Sequence, residues 1–268
     1  MSRKLKWGVI GLGGIAGRTI PEGIAGAQNA ELSAIFDIDQ QVNAEVAKES
    51  GAEQAASINQ LLDTDIDAIY VTTPTHVHAE QVRACAEAGK HVLCEKPLGM
   101  TVAEAENMIE LCDALRWFAR SPVEEVSAFQ TRTDNPAEYP GTISINMKFK
   151  DGKIERSTTT FDAKMPYRFN IGICGSEGTL RNNEIFAPKL FPGQNDFMKI
   201  PCILPDSGDV SHHPFQGEVS HFLDCIISDQ TPSPDLDDAA MTQAVCFAAD
   251  RSAESGRPVP VSEFENLL

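Results

Sequence analysis

Two segments of the chain combine residue types and spacings that can do chemistry. The first is Gly11-Leu12-Gly13-Gly14-Ile15-Ala16, a GxGxxA pattern directly after the apolar run Trp7 to Ile10. In such a turn the first glycine permits a sharp reversal, the second lets the backbone approach a pyrophosphate, and Ala16 keeps helix and strand close. The amides that open the following helix then face the phosphates. A glycine turn alone is a common structural device, but a second apolar run ends at Phe36-Asp37, 21 residues after Ala16. A carboxylate there accepts hydrogen bonds from both ribose hydroxyls and repels a 2'-phosphate. No Arg or Lys follows Asp37 until Lys48, so NAD is expected rather than NADP.

The second segment pair is Val71-Thr72-Thr73-Pro74-Thr75-His76-Val77-His78 and His91-Val92-Leu93-Cys94-Glu95-Lys96-Pro97. Both leave the carboxyl ends of expected parallel strands, where open α/β sheets bind their ligands. His76 and His78 form an HxH pair that suits either helix-start chemistry or metal ligation, but no third ligand stands at a sensible spacing, so no metal is expected. Lys96 has two readings. It is a solvated surface charge, or a partly desolvated lysine near a nicotinamide that exchanges a substrate proton.

The elements that must position these residues follow from periodicity. Short apolar runs at Trp7 to Ile10, Glu31 to Phe36, Ala68 to Thr72 and His91 to Cys94 alternate with helical stretches, the signature of βαβ units. Helical pieces are expected at Glu45 to Ser50, Ile58 to Leu62 and Ala79 to Ala88, the last capped by Gly89. Thr101 to Ala119 predicts the longest helix, opened by a Thr101-x-x-Glu104 capping box, or else two helices run together. After Pro122 the period changes to two: Val123 to Thr131, then Ile143, Ile145, Met147 and Phe149 on one face, then a Lys150 to Lys153 hairpin turn. Tyr167, Phe169, Ile171 and Ile173 alternate again before a Gly175 to Gly178 turn, and residues 187–214 are rich in Pro and Gly. Two helices, Phe215 to Ile227 and Asp237 to Ser255, close the chain.

Composition narrows the class of partner. With 268 residues, 42% of them apolar and 23% charged, the chain can bury a real core. The balance of 22 Lys plus Arg against 39 Asp plus Glu leaves a formal charge of -17, which repels nucleic-acid phosphates and anionic lipid. No apolar stretch approaches the roughly 18 residues of a membrane span. The basic start Met-Ser-Arg-Lys-Leu-Lys-Trp runs into glycine-rich sequence rather than a long apolar run, so a cytoplasmic location is expected. Seven cysteines without a CxxC pair fit reduced thiols, mostly in the core.

Taken together, GVIGLGGIA, the Asp37 strand end, TTPTHVHAEQV, AGKHVLCEKPLGMTVAEAE, GSEGTL and HPFQGEVSHFLDCI resemble the family of glucose-fructose oxidoreductases, inositol dehydrogenases and their relatives. The resemblance implies an α/β protein with an N-terminal Rossmann-type parallel sheet and a shortened C-terminal domain built on mainly antiparallel sheet. The boundary is expected near residue 120, with 1–120 binding NAD and 121–268 serving substrate binding and oligomerisation. It implies that Gly11, Gly13, Gly14 and Ile15 cradle the pyrophosphate and Asp37 the adenosine ribose. Thr73, Pro74, His78 and Glu95 are implied along the nicotinamide half, and Lys96 as the residue that holds the substrate hydroxyl and helps move its proton. A sugar or polyol substrate and a homo-oligomer through the C-terminal sheet are also implied.

One departure is large. Where the family has further elements and a DxxxHxxD segment, the helix after Glu95-Lys96-Pro97 passes directly into Asp113-Ala114-Leu115-Arg116-Trp117-Phe118. If Asp113 is the last aspartate of that pattern, its histidine falls on Glu110 and its first aspartate on Glu106; alternatively the segment is absent. His212 and His213 are the remaining candidates for an imidazole. A dinucleotide-binding relative without catalysis is therefore the competing expectation.

Overall fold

The computed structural model describes residues 4–97, 106–131, 140–202 and 214–264, and the side chains of 106–111 lie outside that description. The expected capping box at Thr101 and Glu104, the side chains of Glu106 and Glu110, and His212 and His213 lie outside the described residues. The chain forms two compact units, Met1–Asp162 with Pro214–Leu268, and Ala163–His213.

The first unit opens with a parallel sheet of β1 (Leu5–Ile10), β2 (Ala30–Phe36), β3 (Glu53–Gln54), β4 (Ala68–Val71) and β5 (His91–Cys94), in the order β3-β2-β1-β4-β5. The connections are α1 (Ala16–Arg18), continued by a π-helical turn over Thr19–Ile24, then α2 (Gln40–Ser50), α3 (Ile58–Leu62) and α4 (His78–Glu87). Strands buried on both faces read as continuous apolar runs, and β4 is buried at all four positions. Alternation still divides the two faces. Trp7, Val9, Ala68 and Tyr70 belong to one core cluster and Ile10, Ile69 and Val71 to the other.

The register decides where the chemistry can sit. Ile10 pairs with Phe36 on one side and Val71 on the other, and Val71 pairs with Cys94. Four strands thus end level, and the next residues, Asp37, Gly11, Thr72 and Glu95, form one row along the sheet's carboxyl edge. Backbone bonds continue the ladder into that row: Gly11 donates to Phe36, Thr72 to Ile10 and Glu95 to Val71, at 2.8, 2.9 and 2.9 Å.

A second sheet in the same unit comprises β6 (Val123–Thr131), β7 (Thr142–Phe149) and β8 (Ile154–Thr160), all antiparallel. One face is covered by α5 (Glu106–Ala119) and by a helix near the C-terminus. The core there holds Val126, Ala128, Ile145, Met147 and Phe149 against Cys112, Ala244, Val245, Ala248 and Ala249. The Ala163–His213 unit contains β9 (Gly172–Gly175), β10 (Gly178–Arg181), β11 (Glu184–Phe186) and β12 (Met198–Lys199), also antiparallel. Two helices follow in the first unit, α6 (Phe215–Ser228) and α7 (Leu236–Ser255), and then β13 (Val259–Pro260), which pairs with β6. The fold class is the expected one.

Several expectations change. The piece expected at Glu45 to Ser50 is the C-terminal half of α2, whose first turn is polar and is capped by the Asp39 carboxylate on the Gln41 and Val42 amides. The alternation of Tyr167 to Ile171 makes no strand; the ladder begins at Gly172. The fifth parallel strand, β3, is two polar residues long and rests on its backbone pairing to Ala34 and Ile35. Cys85, Cys112, Cys225 and Cys246 are buried as expected, whereas Cys174 and Cys202 are exposed.

Edge strand β8 inverts the usual pattern. Glu155 and Ser157 stand opposite Met147 and Ile145, on the core side, while Ile154 is 80% exposed. The Oε2 of Glu155 is buried without a hydrogen-bond partner, and burial pushes its carboxyl up to about 7. A raised folded-state pKa means that the native chain holds this proton where the unfolded chain has lost it. The associated stability is full below the ordinary glutamate value and is lost as pH rises through about 7. We expect melting temperature to fall between about pH 5 and about pH 8, and Glu155→Gln to fall less over that interval. Equal slopes in thermal melts of the two proteins would refute the assignment.

Candidate functional site

The row at the sheet's carboxyl edge is held together by Gly11. Its φ is +91°, and an added Cβ would lie 2.7 Å from Thr73 Cγ2 and 2.9 Å from the Thr73 nitrogen. The Thr72 hydroxyl donates to the Gly11 carbonyl at 2.5 Å. Glycine is therefore demanded here by the protein's own backbone.

Gly13 and Gly14 differ. Both are exposed, and a Cβ on either would meet nothing within 4 Å. Nothing in the packing of the described residues calls for glycine at these two positions, which leaves open backbone beside the turn. The first helical bond runs from Gly17 N–H to the Gly13 carbonyl, so the amides at the head of that helix have no partner within it. Ile15 directs its carbonyl to the Arg18 and Thr19 amides. The donor set at the helix head suits a pyrophosphate.

Asp37 faces the same turn. Its Oδ2 accepts the Leu12 amide at 2.6 Å and its Oδ1 the Asp39 amide at 2.8 Å. Two amides lock the carboxylate in place, and each oxygen keeps further acceptor capacity for a ligand hydroxyl.

Across the row, the Thr73 hydroxyl donates to Gln81 Oε1 at 2.5 Å, and Pro74 is exposed. His78 is 1% exposed, with Nε2 2.6 Å from the Thr73 carbonyl and Nδ1 2.8 Å from the Pro97 carbonyl. Its ring ties the loop after β4 to the loop after β5. That is a positioning role, with both nitrogens occupied by backbone. His76 is exposed, and among the described residues no three His, Cys, Asp or Glu side chains gather as a metal site.

Glu95 and Lys96 leave β5 at the end of the row. Lys96 is exposed, and its peptide bond to Pro97 is cis. The Tyr70 hydroxyl donates to Glu95 Oε1 at 2.9 Å, and Glu218 Oε2 lies 3.4 Å from the same hydroxyl. Tyr70 and Glu218 escaped the sequence reading because Tyr70 looked like one more apolar strand residue. The hint available was an acid beside the otherwise apolar stripe of α6.

Asp113 is placed elsewhere. Thr242 of α7 donates to its Oδ1 at 3.3 Å, and Arg116 pairs with Asp238 at 2.8 Å beside it. Burial, then the Asp238 charge, raises the Asp113 carboxyl above its ordinary range. These groups join α5 to α7. The described residues thus bring Gly11, Gly13, Gly14, Ile15, Asp37, Thr73, Pro74, His78, Glu95 and Lys96 to one sheet edge, and commit Asp113 to a helix junction.

Comparison with known proteins agrees with this geometry. A family model for an oxidoreductase family with an NAD-binding Rossmann fold matches residues 5–117, and a GFO/IDH/MocA C-terminal domain model matches residues 106–181. The two matches overlap on α5. The chain is similar to 1,5-anhydro-D-fructose reductase of Ensifer adhaerens, 40% identical over 106 residues, covering 39% of this chain and 32% of that protein. It is similar to myo-inositol 2-dehydrogenase of Thermotoga maritima, 40% identical over 108 residues, covering 40% of this chain and 32% of that protein. The chain thus spans about a third of the length of these curated relatives. A solved structure, the WlbA dehydrogenase from Bordetella pertussis in complex with NADH and UDP-GlcNAcA, superposes with a TM-score of 0.80 at 20% identity, covering 97% of this chain and 98% of that one. This likeness speaks to the fold.

The two kinds of glycine separate by mutation. Gly11→Ala meets backbone at a positive φ and should cost about 2–4 kcal/mol of stability. Gly13→Ala should leave stability within about 0.5 kcal/mol but weaken dinucleotide binding at least about tenfold. Denaturant melts and a binding titration check both, and equal stability losses would contradict the packing described.

Proposed function

We propose, from the premise that the chain belongs to the GFO/IDH/MocA oxidoreductase family, that it binds NAD and transfers hydride between it and a sugar, polyol or related hydroxy compound. The observation that carries this is the level row of Asp37, Gly11, Thr72 and Glu95, with Lys96 next in the chain. In this reading the amides of Gly13, Gly14 and Ile15 hold the pyrophosphate, and Asp37 accepts from the adenosine ribose. The preset carboxylate favours NAD over NADP, because a 2'-phosphate would bring its charge against a carboxylate whose two oxygens are each held by one amide. NAD supplies the hydride acceptor.

Lys96 holds the substrate hydroxyl and helps move its proton as the carbon loses hydride. Thr73, Pro74 and Glu95 line the nicotinamide half, and His78 keeps the two loops that carry them in register. Residues 1–120 are the nucleotide-binding part and 121–268 a shortened part for substrate and self-association. The outward face of β6 to β8, with Phe129 66% exposed and Thr142, Ser144, Thr158 and Thr160 cross-linked by hydroxyl bonds, is assigned to a second copy of the chain. We assign the cytoplasm as its compartment; among the described residues no helix is long and apolar enough to cross a membrane. With a formal charge of -17, neither nucleic acid nor anionic lipid is a partner in this reading.

One observation favours a second reading, binding without catalysis. Asp113, which would be the last aspartate of the family's DxxxHxxD segment if that segment were present, is tied to Thr242. Among the described histidines, His78 is locked between carbonyls, His221 accepts the Ser233 amide, and His76 and His91 are exposed. The overlap of the two family matches on α5 supports the view that the elements between them are missing here.

Turnover decides between the readings. Purified protein with NAD and a panel of sugars and inositols should reduce NAD, and Lys96→Met should lower that rate at least about 100-fold while leaving NADH affinity within about threefold. NADH binding with no turnover across the panel selects the second reading, and absence of binding removes both.

A further inference from the structure

The acid on α6 is not explained by the packing of that helix. Phe215, Val219, Phe222, Leu223 and Cys225 form its buried stripe, and Phe222 packs tilted against Trp7, ring centres 5.8 Å apart, with Trp7 in turn 6.4 Å from the Tyr70 ring. Glu218, beside that stripe, is exposed as a residue, yet its carboxyl is enclosed at the Tyr70 hydroxyl. Tyr70 itself is 1% exposed. Its hydroxyl has one proton to share between two carboxyl groups. The phenol reaches both carboxyl groups, Glu95 at 2.9 Å and Glu218 at 3.4 Å; donation to the nearer one leaves Glu218 facing a lone pair. Only a protonated Glu218 can donate to that lone pair; ionised, it competes with Glu95 for the phenol proton and opposes the Glu95 charge.

We propose that Glu218 is a positioning residue for the dinucleotide site: protonated, it completes a directional chain from Glu218 through Tyr70 to Glu95 that fixes the Glu95 carboxylate beside Lys96, and ionised it releases that carboxylate. This rests on the dinucleotide reading given above. Successive donation along such a chain strengthens each bond in an enclosed site. Burial first, and the Glu95 charge second, push the Glu218 carboxyl up to about 7, so the two states exchange near neutrality. The groups that bear on it are Tyr70 from β4 and Glu95 after β5; the π-helical turn packed on α6 carries Glu22, paired with Arg18 at 3.5 Å, and α6 itself adds His221 and Asp224.

The test is NADH affinity by fluorescence titration across about pH 5.5 to 8.5 in the intact chain. Wild type should weaken about three- to tenfold through a single transition near neutrality, as expected for one added charge at partly screened distance. Glu218→Gln, which keeps the neutral donor at every pH, should hold the low-pH affinity throughout, and Glu218→Asp should restore a transition. Should Glu218→Gln fail to fold, Tyr70→Phe keeps the ring against Trp7 and removes only the relay, and it too should flatten the profile. Binding with the same profile in wild type and in the folded variant overturns the role of Glu218 alone. No NADH binding by wild type at any pH overturns the dinucleotide reading, and this inference with it.

Discussion

The site depends on the clamp around Gly11. Its amide is held by the Phe36 carbonyl of β2 and its carbonyl by the Thr72 hydroxyl after β4, so the turn leaving β1 is fixed from both neighbouring strands. A side chain there would strike Thr73. Because the clamp exists, the Leu12 amide points at Asp37 and the open backbone of Gly13 and Gly14 begins at a defined place. Loosening the clamp would move the acid, the amides and the Thr73 loop together, whereas each of those parts could change alone without disturbing the other strands.

How much of this could be read beforehand follows from the range of each interaction. β4 was readable because a strand covered on both faces must be apolar throughout, β1 and β5 because their short apolar runs stand out from polar surroundings, and Gly11 and Asp37 because a turn and an acid at fixed offsets serve one local geometry. β3 was not, since Glu53 and Gln54 pair only through backbone. The helical segment over Thr19–Ile24 contains Pro21 and Gly23, both helix-breaking by propensity, and persists through tertiary contact with α6. β8 was hidden by its inverted faces. Tyr70, Glu95 and Glu218 could not be joined from the sequence at all, because 148 residues separate the two ends of one hydrogen-bond contact and only the packing of α6 on the sheet brings them together.

That packing gives α6 a double task. Its apolar stripe completes the core on the Trp7 and Tyr70 side of the parallel sheet, and its first turn supplies Glu218 to the end of the row. The same contact therefore serves stability and the site. A chain that lost α6 would expose Trp7, Val9 and Tyr70 and would also leave the Tyr70 hydroxyl with Glu95 as its sole described partner.

The place of Asp113 shows how a helix junction sets a residue's work. In a helix that runs straight from the nucleotide-binding match into the C-terminal match, Asp113, Arg116 and Cys112 all face α7, where Thr242, Asp238 and Cys246 meet them. Arg116 is only 14% exposed at its side chain, and its donors go to the Asp238 carboxylate and carbonyl and to Thr242. Asp113 accepts a hydrogen bond from Thr242 there while Arg116 is committed to Asp238, and burial and the Asp238 charge hold its carboxyl above its ordinary range, so the side chain serves the packing of two helices. Stability at this junction and acid–base chemistry at Asp113 are therefore competing uses of one side chain, and the geometry favours the first. That leaves the strand-edge row ending in Glu95 and Lys96 as the part of the described structure on which the proposed chemistry rests.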